Sequence, residues 1–478
     1  MKSARDYTPS SWKRLVTIRE RLERFLDRRG YEVVATPILE HTELFLRKSG
    51  GELAARMYSF TDPSGRRVSL RPEFTSSVVR SYIDGTLKGP SPLRWQYCGT
   101  VFRYEGEQRD GGAGPRSSDV PGSLEFQQLG AELIGVGSVE ADAEVLATAV
   151  QGLTALGVVG HRLRVGHMGV VNAMLDGLGL SERARVFILG SFGTLREPDG
   201  MDRVRSRATD LGLLGEERTR SLSLLTRRMD SSDAEGMVEG FLAPGVGDVG
   251  GQRTPEEVFQ RYLKKLREAG VPEIIEKSLK FSAELVALSG PADKVRGKLT
   301  KLVDRYGIDA DVLSPLNELL DALALYDLKD VPVLLDLGMA RGIAYYTGVV
   351  FDLDHPKIKD NPNLGGGGRY DGLVKALGGV KDVPALGYAY TVDRISELLP
   401  SEFGSDETDG SVRVLVTAQG ASLKEAVATA ERLRVQGIPA ELDLQSRTDA
   451  DAAKYAKQRG IQTIMRVGPD GSVAEHST

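Results

Sequence analysis

The sequence predicts an α+β protein: a mixed sheet whose antiparallel strands are joined by turns, a mostly helical stretch, and a small C-terminal α/β domain. Three observations carry this. Residues 31–134 hold several strand-like runs joined by turns rather than by regular helical crossovers. Residues from about 138 to 325 are mostly of helical pattern, with short loops. Beyond a polar stretch at 401–411, strand and helix patterns alternate.

The first helix is carried by Trp12, Leu15, Ile18, Leu22, Phe25 and Leu26, which recur at three- and four-residue steps with charged residues between them. It is expected to stop near Arg29-Gly30. YEVVATPILE is a strand-like run that reaches Pro37, and MYSFTDPSGRRVSLRPEF reads as two strands around the turn Asp62-Pro63-Ser64-Gly65. LRWQYCGTVFRYE and LEFQQLGAELIG are further strands. Between them, residues 106–123 are rich in Gly, Pro and Ser, a composition that cannot pack a core and reads as a long loop. A second break, APGVGDVGGQ, lies at 243–252 in the helical region. Strand signals return at VPVLLDLG, YYTGVVFDLD and PALGYAYTVD. After the linker-like SEFGSDETDGS, the runs VRVLVTAQ, 421–436, IPAELDL, 448–459 and QTIMRV follow a βαβαβ order.

Composition excludes several classes. The 478 residues carry 62 Lys+Arg against 67 Asp+Glu, a net charge of −5, which argues against a general nucleic-acid coat but permits a local basic patch. Cys98 is the only cysteine, so a disulfide scaffold and a thiolate zinc cluster are excluded. No apolar run approaches a membrane span, the N-terminal residues lack the apolar stretch of a signal peptide, and a cytoplasmic location is expected. The five histidines are scattered without ligand spacing, so no metal site is assigned.

Several short motifs carry polar chemistry. Arg71-Pro72-Glu73-Phe74-Thr75 offers a carboxylate and a hydroxyl to an ammonium group, or is a plain surface turn. In Phe102-Arg103-Tyr104-Glu105, strand alternation puts Arg103 and Glu105 on one face, as a phosphate grip or as a structural ion pair. Gln128 and Glu132, four apart on a strand, also share a face, which suits a polar ligand or a solvated sheet surface. Arg341-Gly342-Ile343-Ala344-Tyr345-Tyr346 combines a cation with two aromatics. The run Gly365–Gly368 before Arg369-Tyr370-Asp371 lets backbone approach a ligand, but lacks the Lys-Ser/Thr of a P-loop. Gly387 to Arg394 ends a strand-like run on an arginine.

The ordered set RPE-F-T, F-R-Y-E, Q-x-L-G-x-E, RG-x-x-YY-x-G, GGGGRYDGL and G-x-x-x-x-x-D-R resembles the histidyl-tRNA synthetase family, over nearly the whole chain. The resemblance implies the class II synthetase fold and four segments: 1–160, the first part of the catalytic core; 161–325, a helical insertion; 326–402, the second part of the core; and 411–478, a shortened anticodon-binding-like domain. It implies ATP and Mg²⁺, histidine and tRNA(His) as substrates and cofactor, and a homodimer formed through the segment around Pro37. Residue by residue, it places Arg103, Arg341 and Arg394 in catalysis and Arg103, Glu105 and Arg394 on ATP. Glu73, Thr75, Gln128, Glu132, Arg341, Tyr345 and Tyr346 then surround histidine.

The chain departs from the family pattern at four places. Gly122-Ser123-Leu124-Glu125-Phe126 stands where the family usually has an arginine-bearing G-R-x-R-E-F run. Ala344 replaces the usual acidic residue, and Asp393 precedes Arg394 where Glu is commoner. The last domain is expected to end soon after a third strand, and 411–478 is nearly neutral, with nine Lys/Arg against eight Asp/Glu. The related regulatory subunit of ATP phosphoribosyltransferase, which would bind histidine without catalysis, is the alternative; Glu73 and Arg341 weigh against it.

Overall fold

The computed structural model describes residues 6–47, 56–104, 124–214, 272–328, 330–339, 346–359, 362–404, 413–418 and 423–478. Glu105, the loop 106–123, Arg341, Ala344 and Tyr345 lie outside them. The chain divides into two compact units, Met1–Asp6 with Ile18–Leu399, and Tyr7–Thr17 with Pro400–Thr478.

The strands in chain order are β1 (Glu32–Val33), β2 (Leu39–His41), β3 (Ser59–Thr61), β4 (Arg67–Leu70), β5 (Leu93–Phe102), β6 (Glu125–Ile134), β7 (Arg162–His167) and β8 (Ser289–Pro291). There follow β9 (Val333–Asp336), β10 (Val349–Asp354), β11 (Asn363–Arg369), β12 (Ala385–Thr391), β13 (Val414–Ala418), β14 (Ala440–Leu442), β15 (Thr463–Val467) and β16 (Val473–Ser477). The large unit holds a nine-stranded sheet in the order β1-β5-β6-β12-β11-β10-β7-β9-β8 and a small sheet β2-β4-β3. From β5 through β7 every neighbour pair is antiparallel, and parallel pairing occurs only at β1·β5 and β7·β9. This is the α+β arrangement that the turn-joined strands predicted.

The first helix runs from Pro9 to Asp27, and Gly30 closes the exit at φ +77°, a left-handed conformation that glycine takes without strain. The helix Val139–Ala155 starts at Ser138, whose side chain accepts the Ala141 N–H, and packs across β10 and β12. There Tyr390 Oη donates to the Ala149 carbonyl at 2.6 Å, so this face of the sheet is sealed by a helix. β7 lies inside the stretch read as a helical insertion. It is held in the sheet by Arg162 and Arg164, which pair with Asp354 on β10 at 2.6 and 2.8 Å. The Gly365–Gly368 run is part of β11, a central strand, although glycine has little strand preference.

The small unit is a sheet ordered β14-β13-β15-β16. Alternation along β13 sorts its core. Val414 and Val416 pack with Ala426, Ala430 and Leu433 of the helix Leu423–Val435. Leu415, on the opposite face, packs with Ala452 and Ala456 of the helix Asp449–Arg459. β16 is a fourth strand, antiparallel to β15, where the sequence was expected to end soon after a third. Its five residues are all exposed and mixed in polarity, so no burial pattern marked them.

Candidate active site

On the Glu132 face of the main sheet, β11 and β12 carry glycine and alanine, and register shows which groups these small residues face. Glu132 on β6 lies between Trp95 on β5 and Gly387 on β12, and Gly387 pairs with Gly368 on β11. The adjacent row is Tyr97, Gly130, Ala389 and Gly366, and the next holds Gly99, Gln128 and Thr391. A β-carbon at Gly387 would fall on the Glu132 carboxylate, and one at Gly368 would sit 2.8 Å from the Tyr346 ring. These two glycines therefore leave room for the polar and aromatic groups of the site.

Glu132 is the centre of the arrangement and is fully buried. Its Oε1 accepts from Thr75 Oγ1 at 2.7 Å and Tyr97 Oη at 3.1 Å, and its Oε2 accepts from Tyr370 Oη. Burial disfavours the charged form and pushes the carboxyl up to about 7, although the three hydroxyl donors oppose the shift. The Tyr97 phenol is held well above its ordinary range, first by burial and then by the Glu132 charge, so it stays a neutral donor. A carboxylate has about four acceptor positions; three hydroxyls leave one for a further N–H.

Thr75 opens the helix Thr75–Ile83 and Glu73 stands just before it, with Phe74 between them stacked on Tyr97 at 4.4 Å between ring centroids. Both oxygens of Glu73 accept the Ser76 N–H, at 3.1 and 3.2 Å, the position favoured by the positive end of a helix. Burial raises the Glu73 pKa; the Ser76 bonds and the Arg103 charge act in the opposite sense. Gln128 is 8% exposed and shares its face with Glu132, so the expected pair does converge on one surface.

The cations stand at the strand ends. Arg103 follows β5: its N–H donates to Leu124 O at 3.0 Å, its Nε to Pro72 O at 3.0 Å, and its guanidinium lies 5.2 Å from the Phe126 ring centroid. Arg394 is buried in the helix Val392–Leu398 that follows β12, with Nη1 3.3 Å from Glu397. The preceding Asp393 accepts the Gln127 N–H at 2.6 Å and ties this helix to β6 beside Gln128. Glu132 thus lies two sheet rows in from Gln128, while Arg103 and Arg394 stand at the Gln128 end of the face. Tyr346 packs on Gly368, while Glu105, Arg341 and Tyr345 fall outside the described residues.

Sequence reasoning missed Tyr97, Tyr370 and Arg71. Tyr97 on β5 and Tyr370, just after β11, are donors to Glu132 from places far apart in the chain; only the alternation of Trp95, Tyr97 and Gly99 along β5 pointed to the first. Arg71 is buried and structural: its Nε donates to Thr100 O and its Nη1 to Thr36 O, both at 2.9 Å, while its guanidinium lies 3.9 Å over the Phe74 ring. Burial lowers it to about 10.

A family model for histidyl-tRNA synthetase matches residues 3–192 and 247–395, which include β5, β6, β11, β12 and Arg394. The chain is 30% identical over 470 residues to the histidine–tRNA ligase of Pyrococcus furiosus, covering 98% of this chain and 90% of that one. It is 30% identical over 467 residues to that of Methanococcus vannielii, with 98% and 91% covered. Among solved structures, one from Bacillus halodurans, described as an ATP phosphoribosyltransferase regulatory subunit/histidyl-tRNA synthetase, is similar at TM-score 0.64 and 22% identity, over 98% of this chain and 97% of that one. The histidyl-tRNA synthetase of Nostoc sp. PCC 7120 is similar at TM-score 0.62 and 17% identity, over 99% and 95%. These two likenesses bear on the fold; the family model and the near-full-length relatives bear on descent, and they establish that the chain belongs to the histidyl-tRNA synthetase family.

Proposed function

We propose that this protein is a histidine–tRNA ligase that activates histidine with ATP and transfers it to tRNA(His). The observation that carries this reading is Glu132, a fully buried carboxylate held by three hydroxyls on a face floored by glycine, in a chain that belongs to this family. Its remaining acceptor position suits an imidazole N–H at the inner end of the site. Glu73, Thr75 and Gln128 then receive the ammonium group, and Tyr345 and Tyr346 complete the rim. A site that must satisfy imidazole nitrogens discriminates strongly against apolar side chains, so this pocket needs no editing step.

In the first step a histidine carboxylate oxygen bonds to the α-phosphorus of ATP. The bond from that phosphorus to the bridging oxygen breaks, and its electron pair leaves with pyrophosphate. Arg103 and Arg341 act on the α-phosphate, Glu105 beside the adenine and Arg394 at the γ-phosphate. Fixed cations that need no reorganisation stabilise the charge as it moves outward. Mg²⁺, when bound with ATP, would neutralise the charge of the outgoing pyrophosphate. In the second step a hydroxyl of the tRNA terminal ribose displaces AMP. The C-terminal α/β unit is the proposed anticodon-binding domain, and the working form is a homodimer. Among the described residues no helix is long and apolar enough to cross a membrane.

Histidine-dependent exchange of pyrophosphate into ATP, followed by charging of tRNA(His), tests the proposal. Purified, folded protein that binds histidine but catalyses no exchange would refute it in favour of a regulatory subunit.

A further inference from the structure

A cavity of about 450 Å³ opens beside Arg394, lined by Lys357, Ile358, Lys359, Arg394, Glu397 and Leu398. Its volume falls in the range of small-molecule sites. The two lysines come from the turn between β10 and β11, which β-pairing brings next to the end of β12. That turn is pinned by His355. The His355 N–H donates to Pro362 O at 2.8 Å, and its ring binds Val159 O at 2.9 Å and the Lys357 N–H at 3.2 Å. The backbone at His355 and Lys357 is therefore held in place, and the side chains of Lys357 and Lys359 are exposed. Opposite them, Arg394 is only 5% exposed, on a helix that Asp393 ties to β6.

The charge balance of the wall is one-sided. It contains three cations and one carboxylate, and that carboxylate, Glu397, already lies 3.3 Å from Arg394. Such a wall suits a polyanion. A short chain of phosphates extends over several ångströms and presents oxygens to several donors at once, which a buried arginine and two flexible lysines can meet from different sides. The cavity also lies at the Gln128 end of the sheet, the end where Arg103 stands, and away from Glu132.

We propose that Lys357 and Lys359 bind the β- and γ-phosphates of ATP alongside Arg394, and hold the pyrophosphate as it leaves. This rests on the ligase reading for its place in the reaction. When the α-phosphorus–oxygen bond breaks, the electron pair goes to the pyrophosphate oxygen, and the two ammonium groups are positioned to take up that charge. No further reactant is needed.

The test uses full-length protein and four variants: Lys357→Ala, Lys359→Ala, the double alanine variant and the double Lys→Arg variant. Affinities for ATP, AMP and inorganic pyrophosphate are measured directly, without histidine, at physiological ionic strength because exposed charges are screened. The double alanine variant should weaken ATP and pyrophosphate by about tenfold, leave AMP within about twofold, and be restored by arginine. Equal weakening of ATP and AMP, or no weakening of either, overturns the proposal. Histidine-dependent exchange by the wild type is scored separately. Its absence would remove the ligase reading, whereas the lysine-dependent gap between ATP and AMP stands or falls by the binding data alone.

Discussion

The buried carboxyl of Glu132 makes a prediction about stability as well as about catalysis. Its ordinary value is 4.5, and burial raises it to about 7 in the folded protein. Between these two values the folded state holds a proton that the unfolded state has released. The stability from this group is therefore fully present below about pH 4.5 and is lost as pH rises through about 7. Integrating the linkage relation from pH 5 to pH 8 gives a loss on the order of 2–3 kcal/mol. Glu132→Gln keeps the shape and removes the titration. Its amide still accepts at one position, and the hydroxyls of Thr75, Tyr97 and Tyr370 can rotate to accept from its NH₂.

The assay is denaturant unfolding of both proteins at pH 5 and pH 8. Trp95 is a local probe, because it is buried on β5 directly opposite Glu132. Other carboxyls titrate in both proteins, so the quantity that matters is the difference between wild type and variant. The variant should gain roughly 2–3 kcal/mol on the wild type between pH 5 and pH 8. Its kcat/KM for histidine activation should fall by about 10- to 100-fold, the cost of losing a charge-assisted bond to the imidazole. Parallel pH profiles for the two proteins would refute the raised carboxyl, and unchanged kcat/KM would refute its contact with histidine.

Gly387→Ala places a β-carbon on the Glu132 carboxylate. Unfolding should be easier by about 1–3 kcal/mol and the KM for histidine should rise, whereas unchanged histidine kinetics would show that the carboxylate does not need this space. Arg71→Ala leaves the Thr36 and Thr100 carbonyls without their donors and removes the ring contact with Phe74. A loss of about 3 kcal/mol is expected in denaturant titration, and Arg71→Lys should not restore it because a single ammonium cannot span both carbonyls over the ring. Arg341→Ala should slow adenylate formation by about 100-fold in single-turnover measurements while ATP affinity changes by less than about threefold; equal losses would mean that it binds ground state and transition state alike.

How much of this was legible in the sequence depends on the range over which each signal acts. The helix Pro9–Asp27, the hairpin of β3 and β4, and the alternation in the C-terminal unit are local patterns, and each appears where periodicity put it. The shared face of Gln128 and Glu132 is also local, since it needs only strand geometry. The hydroxyl shell of Glu132 is different. Thr75, Tyr97 and Tyr370 reach it across 57, 35 and 238 residues of chain. No window of sequence contains that cluster; only the pairing order β5-β6-β12-β11 assembles it.

The glycine run shows how a correct residue signal can have another cause. Four consecutive glycines suggested backbone lying open to a ligand. In the structure Gly368 accommodates the Tyr346 ring, and its register partner Gly387 accommodates the Glu132 carboxylate. The missing side chains thus serve protein groups first. A larger residue at either position would displace an aromatic ring or the buried carboxylate before any ligand arrived. The strand stays ordered despite its weak intrinsic preference because it is bonded on both edges, to β10 and β12. Glycine here trades local strand preference for depth, and depth is what raises the Glu132 carboxyl toward the pH at which an imidazole titrates. A carboxyl and an imidazole that titrate in the same range can share a proton across one hydrogen bond, a match that a surface glutamate at its ordinary value would not offer.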